Sequence, residues 1–416
     1  MSALAVTGAE LDGETVGIRC EDGLIAELGP GVEPREGDEL IDAAGLRLVP
    51  PLVNGHTHAA MTLLRGYGDD RPLMEWLEKW IWPAEAKLEP EDVYWGTRLA
   101  CVEMIRSGTS RFFDMYWHAA QTARAAEDSG LRLVATTAVI DAPASPGTGR
   151  QRDEWLEVVD QLETFGPLVT PSLGPHAIYT VGRESLKWIA EVTAERELVI
   201  QVHLSETEQE VTDCVEANGM RPAHYLDEVG LLGPRTALAH GVWLDREELE
   251  LVAEREATVV TNPAANMKLA VGRAFPYPEA AAAGVSMALG TDGPSSNSNL
   301  DLFEEMKLFA LLQKHTAGDP ATLPASEALA IARGRRSELM GGTELAPGQP
   351  ADFLLLRTGD PELSVGDPAS GLVYSATGSV VDTTVVAGRV LMRDREVPDA
   401  EEIVGEVRAR AERLTS

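Results

Sequence analysis

Three cysteines in 416 residues, Cys20, Cys101 and Cys214, are too few and too far apart for a disulfide framework or a thiolate zinc site. A reducing cytoplasm fits that usage best. Long apolar runs are missing as well, since none approaches the ~20 residues that cross a bilayer. The start, Met1-Ser2-Ala3-Leu4, has neither the basic residues nor the long apolar core of a signal peptide. Cationic residues are scarce: 35 Lys and Arg stand against 67 Asp and Glu, for a formal charge of −32, and only six of the 35 are lysine. A polyanion of this kind argues against nucleic acid and anionic membranes as partners, because both repel it. With 44% hydrophobic and 25% charged residues the chain reads as a soluble globular protein. Its length allows a large single-core barrel with a smaller unit attached.

What is present is an alternation. Apolar, β-branched runs occur at 46–53, 109–115, 131–139, 168–173, 198–203, 236–240, 258–261 and 285–289. Amphipathic or Ala/Glu-rich stretches lie between them, for example at 90–107, 183–195, 246–255 and 300–313. Eight strands, each followed by a helix-like stretch over about 250 residues, have the rhythm of an α/β fold of the (β/α)8 barrel type. A doubly wound open sheet is the alternative that periodicity leaves open. Short strand-like runs before residue 46, and others at 351–356, 380–386 and 390–392, predict a flanking β-sandwich built from both chain termini. The expected boundaries are 1–48 for the N-terminal part of the sandwich, 49–345 for the barrel and 346–416 for the C-terminal part.

In such a barrel the functional residues sit at the C-terminal ends of strands. The first run ends in Asn54-Gly55-His56-Thr57-His58, and two histidines one residue apart on a strand face the same side. Other runs end in Gly174-Pro175-His176, His203-Leu204-Ser205-Glu206, Ala239-His240-Gly241 and Gly290-Thr291-Asp292-Gly293. His203 is the natural third imidazole and Asp292 the natural carboxylate. Together with His56 and His58 they predict one divalent metal ion, zinc by default, with iron, manganese or nickel as alternatives. No lysine ends the fourth run to bridge a second metal, since Lys187 lies inside the following helix. Glu206 can face the open coordination position as a proton carrier, and His240 can hydrogen-bond the attacking water or the developing oxyanion. The bland alternative, packed histidines and solvated carboxylates, suits a scattered set poorly matched to one mouth; counting His118 after the second run, six of the eight histidines here fall at or just past strand ends. His118 lines the pocket or merely packs, His224 on a helix is structural, and His315 after the last barrel helix is surface.

Taken together, Val53-Asn54-Gly55-His56-Thr57-His58, His203-Leu204-Ser205-Glu206-Thr207, Leu238-Ala239-His240 and Gly290-Thr291-Asp292-Gly293 resemble the amidohydrolase superfamily. Met61-Thr62-Leu63-Leu64-Arg65-Gly66-Tyr67, Ile81-Trp82-Pro83-Ala84-Glu85, Asn262-Pro263 with Asn266-Met267-Lys268, and Phe303-Glu304-Glu305-Met306 narrow the likeness. It is to the 5′-methylthioadenosine/S-adenosylhomocysteine deaminases, in a wider group with triazine hydrolases and guanine deaminase. The resemblance implies metal ligation by His56, His58, His203 and Asp292, with Asp292 also taking a proton from water. It implies a proton shuttle at Glu206 and a water-facing His240. Glu85 and His176 match positions that hold the nucleoside ribose, and Arg150 or Arg152 stands near where an arginine would clamp a substrate carboxylate. The implied reaction is metal-dependent hydrolytic deamination at C6 of an adenosine derivative, giving the inosine derivative and ammonia. Removal of an amine or chloride from a triazine or another amino-purine is the first alternative, and an inactive barrel scaffold the second. The expected partner is a small-molecule nucleoside, with a homo-oligomer left open. Pro50-Pro51 departs from the family's usual Pro-Gly at the entry to the first strand.

Overall fold

Two consecutive prolines donate no backbone N–H, so a strand cannot run through them and stay paired on both sides. Pro50 and Pro51 accordingly cut the expected run 46–53 in two. In the computed structural model, which describes residues 3–141 and 149–416, the halves belong to different sheets. The first five strands are β1 (Leu4–Leu11), β2 (Glu14–Glu21), β3 (Leu24–Gly29), β4 (Glu39–Asp42) and β5 (Leu46–Val49). Eight more follow past the prolines: β6 (Leu52–Thr57), β7 (Thr109–Tyr116), β8 (Arg132–Val139), β9 (Val169–Pro175), β10 (Ile200–Leu204), β11 (Thr236–His240), β12 (Thr258–Thr261) and β13 (Ser286–Leu289). The last three are β14 (Phe353–Arg357), β15 (Val381–Val386) and β16 (Arg389–Met392).

The eight middle strands form two parallel four-stranded sheets, ordered β6-β7-β8-β9 and β10-β11-β12-β13. Helices alternate with them, among them Pro90–Arg106, Ala119–Ser129, Arg183–Glu195, Arg246–Glu254 and Leu302–Ala317. β6 is buried along its whole length, as strands covered on both faces must be. Val53, Phe113, Val134, Ala237, Val260 and Ala288, drawn from both sheets, pack into one interior cluster. Backbone contacts join the sheets on both sides. Ser172 and Ala177 bridge in parallel to Val199 and His203, and the Asp292 N–H donates to the His56 carbonyl at 3.0 Å. Gly174 permits the first junction, because a Cβ there would lie 2.1 Å from the Gln201 carbonyl oxygen.

The strands of the two chain ends form one eight-stranded sheet, ordered β16-β15-β14-β5-β1-β2-β3 with β4 on β1. The two ends of the chain meet where β14 pairs antiparallel with β5, Leu354 opposite Val49. Residues 400–415 leave this sheet. They form the helix Ala400–Thr415, which packs Ile403, Val407 and Leu414 against Met61, Leu64, Trp76 and Ile81 of the central unit. The buried carboxylate of Asp92 explains the docking, since it needs cationic partners and finds them in Arg413 and Arg410 of that helix. His315 also departs from expectation, standing inside the last turn of Leu302–Ala317 rather than after it, though it is exposed. Among the described residues no helix is long and apolar enough to cross a membrane.

Asp352 ties the terminal sheet to the middle strands. It accepts Arg132 Nε at 2.7 Å and Nη2 at 2.9 Å, and the Ala387 N–H at 2.7 Å, while only 1% exposed. Removing one partner of a buried pair strands the other charge. Asp352→Ala is therefore expected to destabilise the protein by about 3–5 kcal/mol. Chemical denaturation checks this, and a change below about 1 kcal/mol would contradict the assigned burial.

Candidate active site

β6 ends with His56 and His58 on one side of the strand, β10 carries His203, and Asp292 follows β13. Their ligand atoms all lie within 4.8 Å of one another. His58 Nε2 is 3.2 Å from His203 Nε2 and 3.2 Å from Asp292 Oδ1, and His56 Nε2 is 3.5 Å from the same oxygen. The other ring nitrogens are committed: His58 Nδ1–H donates to the Met115 carbonyl at 2.5 Å and His203 Nδ1–H to that of His176 at 2.7 Å. With both rings neutral that assignment leaves two Nε2 lone pairs facing each other, an arrangement that a proton or a metal ion at the cluster relieves. His56 Nε2 is buried without a hydrogen-bond partner. Three imidazoles and one carboxylate fit a divalent metal ion.

The electrostatics agree. Burial opposes ionisation of Asp292, yet the neighbouring imidazoles of His56 and His58 hold its carboxyl well below the usual range. Burial also disfavours the charged form of His58, but Asp292 outweighs it and pushes the imidazole up to about 9. His56 is pushed down to about 4, chiefly by burial. Without a cation the cluster thus retains a proton at His58, which a metal ion would displace. The backbone is unusual at the same points: Ser205, His240 and Asp292 have φ of 52°, 73° and 60°. Such left-handed conformations cost non-glycine residues roughly 1–3 kcal/mol and persist where surroundings over-determine them. Here Trp243 N–H holds the Ser205 carbonyl at 2.7 Å and Gly241 N–H that of Leu204 at 3.0 Å.

Glu206 is buried, with Oε2 3.8 Å from His240 Nε2. Burial pushes its carboxyl up, against the opposing effect of His240. His240 Nδ1–H donates to Asn266 Oδ1 at 2.8 Å, which aims Nε2 toward Glu206. The turn bearing Glu206 is held by Glu210, whose carboxylate accepts the N–H groups of Ser205 at 2.7 Å and Glu206 at 2.9 Å.

These groups open onto a cavity of about 760 Å³, walled by Met61, Leu73, Trp76, Ile81, Trp117, Tyr179 and others. Glu85 and His176 also line it, so the structure brings them to the same space as Glu206 and the cluster. Glu85 ends the short helix Trp82–Glu85; burial pushes its carboxyl up, moderated by Trp117 and Tyr116. Burial, reinforced by His58 and His56, pushes His176 down to about 3 and keeps it neutral. Its Nδ1 lies 3.0 Å from Thr180 Oγ1. The two arginines diverge. Arg150 lines an adjoining cavity with Glu85, Tyr116, Trp117 and His118, whereas Arg152 donates to the Glu184 carbonyl at 3.1 Å and stacks 5.2 Å above Trp188. Arg152 reaches neither cavity, and Gly147 and Thr148 of their loop lie outside the described residues. Lys187 is on the helix Arg183–Glu195 with its side chain about half exposed, away from the cluster.

Sequence reasoning missed Glu210 and Asp114, and quoted Asn266 without a role for it. Asp114 accepts Thr57 Oγ1 at 2.8 Å and the Ala59 N–H at 2.6 Å, pinning the turn after His58. Burial pushes it up to about 6. The signal available was an acidic residue inside the otherwise apolar run 109–115.

The model of the amidohydrolase family matches residues 47–391. A 5′-deoxyadenosine deaminase of Methanoregula boonei is 47% identical, over 94% of this chain and 90% of its own length. A 5-methylthioadenosine/S-adenosylhomocysteine deaminase of Syntrophomonas wolfei is 40% identical, over 100% of this chain and 98% of its own. Among solved structures, an adenosine deaminase from Xanthomonas campestris with bound zinc superposes with a TM-score of 0.90 at 32% identity, covering 99% of this chain and 98% of that one.

Proposed function

This chain belongs to the amidohydrolase family, and on that premise we propose that it removes ammonia hydrolytically from C6 of an adenosine derivative, 5′-methylthioadenosine, S-adenosylhomocysteine, 5′-deoxyadenosine or adenosine itself. The reading is carried by one observation: a three-histidine, one-aspartate cluster shares a single cavity with the buried Glu206 and with His240. Relatives named for 5′-deoxyadenosine, 5-methylthioadenosine and S-adenosylhomocysteine support the substrate class. We read the two four-stranded sheets as halves of one (β/α)8 barrel over 49–345, with the terminal sheet as its β-sandwich appendage over 1–48 and 346–416.

His56, His58, His203 and Asp292 would hold the cation, zinc being favoured by the nitrogen-rich donor set and by the zinc in the Xanthomonas structure. A divalent ion there supplies the Lewis acidity that makes water nucleophilic near neutral pH. His240 orients the attacking water through Nε2, and Asp292 takes a proton as the new C6–O bond forms. Glu206 gives its proton to ring N1, which makes C6 electrophilic. The amino group then accepts the proton held by Asp292 and leaves as ammonia. The proton of the new C6 hydroxyl returns to Glu206, leaving a C6 carbonyl and N1–H. Glu85 and His176 hold the ribose, and Arg150 is the better placed of the two arginines to meet a 5′ substituent.

Steady-state ammonia release from 5′-deoxyadenosine, methylthioadenosine, S-adenosylhomocysteine, adenosine, guanine and a chlorotriazine tests the assignment. Turnover is expected with adenosine derivatives; none from any of them would sink it. Glu85→Gln weakens a hydrogen bond to a charged acceptor, worth ~1.5–3 kcal/mol, so KM should rise about ten- to a hundredfold. An unchanged KM would remove Glu85 from ribose binding.

A further inference from the structure

We propose that Glu305 is a positioning residue that keeps Asp292 and His240 in register across the cavity mouth, an inference resting on the roles given to those two side chains above. Glu305 stands near the start of the helix Leu302–Ala317 and is wholly buried, yet it lines no part of the cavity. Its two carboxylate oxygens serve two different segments. Oε2 accepts the N–H of Ala264 at 3.1 Å, and Oε1 accepts Asn297 Nδ2 at 2.5 Å.

From Ala264 the connection runs within one short helix, Pro263–Lys268, to Asn266, the residue that accepts His240 Nδ1–H. On the other side, Asn297 Nδ2 also donates to the Thr291 carbonyl at 2.7 Å, one residue before Asp292. Ser296, beside Asn297, donates to Asp292 Oδ2 at 2.6 Å. One side chain therefore holds both the short helix that orients His240 and the loop that carries Asp292. A plain helix-capping role does not account for this, because neither partner belongs to the helix of Glu305. Burial pushes the carboxyl up to about 8, against hydrogen bonds from Ala264 and Asn297. An apolar residue would avoid that desolvation but could accept neither N–H.

Glutamine has nearly the same shape but puts an NH2 donor where one of the two accepting oxygens stands, opposite an N–H, so Glu305→Gln cuts one arm of the bridge. In the metal-loaded enzyme kcat is expected to fall about 10–100-fold, with KM within about twofold and metal content unchanged. In metal-free protein, amide hydrogen exchange at Ala264 and over 291–297 should accelerate, a readout independent of activity. The kcat effect should also shrink in an Asn266→Ala background, because both substitutions act through His240. Full additivity, or unchanged kcat and exchange in folded Glu305→Gln, overturns the proposal. If Glu305→Gln does not fold, Asn297→Ser cuts the bridge from its other end. Failure of both to fold also overturns it, making the bridge a stability element. If the unsubstituted enzyme releases no ammonia, the functional reading falls alone and the exchange result decides the bridge.

Discussion

Glu206→Gln should lower kcat for ammonia release by about 10²–10⁴-fold while the protein keeps its metal and its fold. The substitution preserves size and hydrogen-bonding shape but removes the exchangeable carboxyl proton that faces His240 across the cavity. The position suits an acid. Burial raises the carboxyl above its ordinary range, so a larger fraction carries the proton near neutral pH than in a solvated glutamate. Glu210, four residues on, fixes the turn by accepting two backbone N–H groups. Paired kinetics and elemental analysis on the two proteins check the prediction. An active, metal-replete variant would take Glu206 out of the chemistry.

His203→Ala should abolish both metal binding and turnover, the larger structural loss of the two. His203 supplies one of three nitrogens, and its neighbour His58 lies 3.2 Å away with no other partner for Nε2 than the cluster itself. Chelation of the unsubstituted protein should have the same consequence reversibly, with activity returning on adding zinc. Because the ion binds the folded state, its removal also lowers stability, by ~2.7 kcal/mol where free metal stood at a hundred times its Kd. The pH dependence has a definite sign. With the metal absent, His58 carries a proton up to about pH 9, and the ion must displace it. Affinity should therefore fall as pH is lowered through neutrality, by about tenfold per unit while one proton is released. Titration by competition with a chelator of known affinity measures this, and a flat profile would contradict the proton inventory of the cluster.

The strand-end motifs were legible because their chemistry is local. His56 and His58 share a side through the two-residue period of a strand, and Asp292 and Glu206 each follow an apolar run directly. The helix expected at 183–195 has those bounds in the structure. Asn266, Glu210 and Glu305 were not legible as site residues. Each acts through a hydrogen bond whose partner is fixed by tertiary contact: with His240, with the turn at Ser205, and with segments 41 and 8 residues away in sequence. Pro50-Pro51 was visible, but its effect depended on which sheets lay on either side, and the run it interrupts was read as one strand.

By itself the sequence determined the strand–helix alternation and singled out the three histidines and one aspartate that the fold brings together, since residue type and spacing carry that information. Its net charge by itself argues against polyanionic partners. Only the tertiary structure decided that Pro50-Pro51 divides two sheets, that residues 400–415 return to cover the central unit, and that Arg150 and Arg152 part company. It alone brought Glu305 between the loop of Asp292 and the short helix that orients His240. The physical reason is common to all of these: burial and long-range hydrogen bonding select partners that lie far apart along the chain, and no local pattern records the choice.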